Sequence, residues 1–71
     1  MYVIAIYHKS FDGGAEGVDY ASHPAASRAE VDEMLQRLIT PDVERAAVYL
    51  VDSRAELAAT VNLASKSAIW A

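Results

Sequence analysis

The stretch from Ser27 to Ile39, SRAEVDEMLQRLI, constrains the fold more than any other part of this chain. Val31, Met34, Leu35, Leu38 and Ile39 recur at spacings of three and four, which lines one side of a helix with apolar groups. Ser27 and Glu30 stand at capping-box spacing. The Ser oxygen can accept from an early helix N–H, and the Glu carboxylate can reach back to the cap N–H. Pro41, two residues past the last periodic position, stops the helix. Glu33 and Arg37 lie four apart on the polar side, in the order that favours an ion pair. A helix with one apolar side needs a surface to cover.

That surface reads as a small sheet. In Tyr2–His8, YVIAIYH, both alternating faces are apolar, so this strand is expected to be central and covered on both sides. The chain reverses in KSFDGGAEG, which holds all three glycines and a DGG turn signal. Val18–Ser22 alternates well enough for a second strand, antiparallel to the first and ended by Pro24. After Pro41 a polar link, DVER, leads to Ala46–Val51, AAVYLV, a continuous apolar run bounded by charge and read as a buried strand.

The last twenty residues admit two readings. In one, Leu57–Leu63 is a strand with Leu57, Ala59, Val61 and Leu63 on one face. A turn near Ser65-Lys66-Ser67 and a final strand, Ala68–Trp70, follow. In the other, the second SRAE, Ser53–Glu56, caps a helix with Leu57, Val61, Ala64 and Ala68 on one face. Thr60, Val61 and Asn62 favour the strand; the alanines favour the helix. The expected fold is α+β: a small, mostly antiparallel ββαββ-type sheet covered by one amphipathic helix. The alternative is β-α-β-α, which needs parallel strands and a crossover.

Seventy-one residues make one domain. A domain this small buries only roughly 60% of its unfolded surface. There is no cysteine, which removes a disulfide staple, thiol catalysis and cysteine zinc sites, and is compatible with a reducing cytoplasm. At 54% hydrophobic, the chain has surface that needs covering, by a partner or by a second copy. The net charge of −4 and the six scattered Lys and Arg argue against nucleic acid and anionic membrane as partners. MYVIAIYHK lacks the basic start of a secretory signal, and no apolar run approaches the roughly 18 residues of a membrane span. A cytoplasmic protein is expected.

Little in the sequence suggests catalysis. His8 and His23 each stand alone, and each reads as a strand-end histidine in solvent; a base or metal ligand near Asp12 or Asp19 is the sharper alternative. GGAEG lacks the Lys-Ser or Lys-Thr of a phosphate cradle, and no serine sits in a GxSxG elbow. No catalytic, cofactor or metal residue is expected. Recognition is another matter. Asp12, Glu16 and Asp19 fall where no basic residue intervenes between Lys9 and Arg28, either as a patch for a basic partner or as a solvated turn. Trp70, one residue from the end, should be held in a sheet or against a partner, because termini otherwise fray. The expected partner-binding residues are Asp12, Glu16, Asp19, Tyr20 and Trp70.

Four segments carry a family resemblance: YVIAIYHK with its DGG turn, AEVDEMLQRL (Ala29–Leu38), AAVYLVD, and ELAATVNLASKSAIWA. Together they resemble the immunity proteins that partner deaminase-type toxins in bacterial polymorphic toxin systems. The chain corresponds to the first part of such a protein; the further strands and helix of a typical member have no counterpart here. The resemblance implies a non-enzymatic binder, or a shortened relative of one, that occupies a cognate toxin's active-site region. An acidic surface would steer such association. Two other classes remain open: a homo-oligomeric assembly subunit of phage or accessory type, and a small-molecule enzyme using His8 or His23.

Overall fold

A computed structural model describes residues 1–9, 19–51 and 55–71, with the backbone alone at 19, 20 and 55. Its elements are β1 (Tyr2–His8), β2 (Asp19–Ala25), α1 (Arg28–Leu38), β3 (Val43–Val51), β4 (Ala55–Asn62) and β5 (Ser67–Trp70). The strands form one sheet in the order β2-β1-β3-β4-β5. Every neighbouring pair is antiparallel. This is the α+β architecture expected from the sequence. The helical reading of the tail is overturned: 55–62 is strand, and 63–66 is the turn of the last hairpin.

The helix begins as its capping box dictates. Ser27 is extended, with φ −145° and ψ 166°, and its Oγ accepts from the Glu30 N–H at 3.2 Å. The Glu30 carboxylate reaches one residue further back than expected, to the N–H of Ala26 at 3.3 Å. The pair expected between Glu33 and Arg37 does not form; among the described residues the one ion pair is His8–Asp42. Both side chains are exposed, where such a pair contributes little.

The apolar stripe of α1 buries Val31 and Leu35 completely. Its counterpart on the sheet is Ile4 and Ile6 of β1, Val48 of β3, Ala59 of β4 and Ala25 of β2. Ile39 and Val43 close the core at the helix exit. β1 is an interior strand, hydrogen-bonded to β2 and β3, as expected, but no described element covers its second face, where Val3 and Tyr7 are half-buried.

Three differences from the sequence reading stand out, each with a physical reason. β2 does not stop before Pro24 but runs through it to Ala25, with Pro24 opposite Val3. β2 is an edge strand, and a proline there can leave its missing N–H on the unpaired side. Val18, where this strand was expected to begin, lies outside the described residues, as does the DGG turn. β3 begins at Val43, so DVER is largely strand; a β-bulge between Tyr7 and His8 sets His8 opposite Val43 and Tyr7 opposite Arg45.

The third difference has the widest effect. Val48 pairs with Ala59 and Tyr49 with Leu57, so Ala58 is an extra residue in β4. One inserted residue reverses which side the following side chains take. Leu57 and Ala59 therefore lie on opposite faces, not on one. Ala59 is 1% exposed beneath the helix, and Leu57 is 52% exposed on the far side.

The closing hairpin is pinned to the helix. The Asn62 Oδ1 accepts from the N–H groups of Ala64 and Ser65 at 3.0 and 3.3 Å. Lys66 takes a left-handed conformation at φ 55°. Its carbonyl accepts from the Gln36 side chain of α1 at 2.9 Å.

Candidate functional site: the uncovered face of the sheet

Strand alternation divides the sheet into a face under α1 and a face that no described element covers. The ladder arranges the uncovered face in rows. Pro24, Val3, Tyr49 and Leu57 stand opposite one another across four strands. The next row is Ser22, Ala5, Ala47, Thr60 and Ile69, across all five. A third row holds Tyr7 and Arg45, with the guanidinium 4.2 Å from the ring centroid. The first and third rows are large residues and the middle row is mostly small, so the face is corrugated. Successive rows are about 7 Å apart, the spacing of alternate residues along a strand.

The face is apolar and nearly uncharged. Val51, Leu57 and Ile69 are 41%, 52% and 58% exposed. Val51 follows Tyr49 by two residues in β3 and so shares its side. With Met1 they are the four exposed large hydrophobic residues of the described chain. Arg45 is the one charged residue among the described side chains that these rows contain. Among the described side chains, half of the remaining charged residues sit on α1, where Arg28, Glu30, Asp32, Glu33 and Arg37 are exposed.

A second grouping lies at the end of β1. The His8 ring is 2.9 Å from the Asp42 Oδ2, and the Thr40 hydroxyl donates to the other carboxylate oxygen. The hydrogen bond from Thr40, and then that from His8, hold the Asp42 carboxyl below its ordinary value. The Lys9 N–H donates to the Asp42 carbonyl at 2.7 Å. These bonds tie the bulged end of β1 to the link between α1 and β3. The order is Thr–Asp–His, so the hydroxyl faces the carboxylate and not the imidazole. A base-activated nucleophile needs the hydroxyl on the imidazole. The grouping is a clasp.

Of the residues singled out from the sequence, Asp19, Tyr20 and Trp70 fall in described strands. Asp12 and Glu16 lie outside the described residues. Asp19 stands opposite His8 in the ladder, and Tyr20 opposite Tyr7. Trp70 is held in β5, opposite Ala59. Its ring meets Tyr2 edge-on at 5.4 Å and lies 4.7 Å from the Arg28 guanidinium. This joins the start of the helix to the edge of the sheet. His8 was expected as a strand-end histidine in solvent, with Asp12 or Asp19 beside it only in the alternative reading; it is half-buried and paired with Asp42. Sequence reasoning did not find Leu57 or Ile69 as surface residues. The signal existed for Tyr49 and Val51, which extend a run too long to be buried on one face.

Among the described residues no three His, Cys, Asp or Glu side chains gather as metal ligands, and no helix is long and apolar enough to cross a membrane. Comparison with protein-family models, with curated proteins and with solved structures finds no match to this chain.

Proposed function

We propose that this chain is a non-enzymatic protein-binding module whose working surface is the uncovered sheet face. The observation that carries this reading is the exposure of Val51, Leu57 and Ile69 on one side of a sheet whose other side is sealed by α1. Full burial of such side chains is worth about 1.5–3 kcal/mol each. A sheet with two apolar faces is stable in water when both are covered. The resemblance of the tail to immunity proteins supports a setting in which the partner is a cognate toxin. The net charge of −4 suits approach to a basic protein.

The test uses the protein encoded beside this chain as bait. The wild-type chain should be retained. Leu57→Glu should lose retention, and Glu33→Lys, on the exposed side of the helix, should keep it. Retention unchanged by Leu57→Glu would remove the face from the account. One observation favours a second reading, an assembly role in which the partner is the chain itself: the face offers almost no charge for a charged partner to recognise.

A further inference from the structure

We infer that the occupant of the uncovered face is a second copy of this chain, packed sheet to sheet about a two-fold axis; this rests on the binding role of that face. The first argument is shape. Val3, Tyr49 and Leu57 form a ridge, and Ala47 and Thr60 lie in the trough beside it. Ala5 is 1% exposed and already closed over, so the open part of the trough runs from Ala47 to Thr60 and Ile69. A two-fold axis in the plane of the face sets the ridge of each copy into the trough of the other. An isologous contact requires this self-complementarity. Two packed sheets sit about 10 Å apart with interdigitated side chains, and ridge and trough provide the interdigitation.

The second argument is area. A stable interface takes about 800 Å² from each partner. The molecule is a slab with extents of 36 × 27 × 17 Å and a surface of 4671 Å². One broad face of such a slab is about a quarter of that surface, enough for a standard interface without the helix side. The third argument is charge. Each copy carries −4, which opposes association wherever like charges meet. The acids of α1 are exposed on the helix, and Arg45 is the one charged residue among the described side chains of the paired rows. Stacking on this face brings the two copies together with the acids of α1 outermost.

Sedimentation equilibrium between about 1 and about 100 μM covers the range where a small apolar interface assembles. The wild-type chain should approach twice its 7.7 kDa mass. Leu57→Glu and, separately, Ile69→Glu should raise the dissociation constant at least about 30-fold, the effect of charging the centre of an interface. Circular dichroism should be unchanged for both. Glu33→Lys should remain dimeric. A wild-type monomer at the highest concentration would overturn the proposal. So would a dimer that both face variants leave intact. The two failures differ for the binding role. A monomer whose neighbour-encoded partner is lost on Leu57→Glu removes only the second copy; a dimer indifferent to both variants removes the face as well.

Discussion

Asp42 accepts from Thr40 and is paired with His8, and both contacts lower its carboxyl from the ordinary value of 3.8. A group whose pKa is depressed on folding adds stability above its unfolded value and loses it as pH falls through the folded one. Asp42 should therefore support the fold at neutral pH, and that support should begin to fall below 3.8 and end as pH passes through the lower folded value. Asp42→Asn should be less stable than the wild type at pH 7. The gap between their urea midpoints should close as acid protonates the wild-type carboxyl. A gap that persists unchanged into strong acid would place the effect elsewhere. Residues on the two faces of the sheet should also separate. Leu35→Ala, in the sealed core, should cost about 2–5 kcal/mol. Leu57→Glu, half exposed, should cost about 1 kcal/mol or less. Chemical unfolding of the two variants measures both, the second at a concentration low enough to keep the chain monomeric.

The elements divide by how local their causes are. α1 was legible because its periodicity, its Ser27–Glu30 box and Pro41 all lie within fifteen residues of one another. β1 and the apolar part of β3 were legible as continuous apolar runs. What the sequence concealed depends on pairing between distant segments. Pro24 belongs to β2 because that strand is an edge, which no local pattern reveals. Val43 enters β3 because the end of β1 extends the ladder past the bulge at His8. The extra residue at Ala58 is the clearest case. Leu57-Ala58-Ala59-Thr60 reads as plain alternation, and only its pairing with Val48 and Tyr49 moves Leu57 off the core. The candidate site was hidden for the same reason, because its most exposed members looked like core. Two element-level changes test the local causes. Ser27→Ala should cost about 1 kcal/mol through the lost cap. Lys66→Gly should gain about 0.5–1 kcal/mol by relieving the left-handed backbone in the hairpin turn. Thermal melts that show no loss for the first, or a loss for the second, would contradict these assignments.

At the scale of the whole molecule, the described residues form a sheet with a helix over one face and no described element over the other. One helix cannot cover both sides of a five-stranded sheet. A chain of this length has little other apolar burial to draw on. Association would cover that face and make stability depend on protein concentration. The melting temperature of the wild-type chain should rise with concentration, and that of Leu57→Glu should not. The most direct measurement of the central claim is an isotope-filtered NOE experiment on a mixture of labelled and unlabelled wild-type protein. Contacts between copies should run from the Leu57, Val51 and Ile69 methyl groups to Tyr49 and Ala47 of the other copy, with none from Val31 or Leu35. Intermolecular contacts confined to the helix, or none at all at a concentration where the sheet face should be occupied, would contradict it.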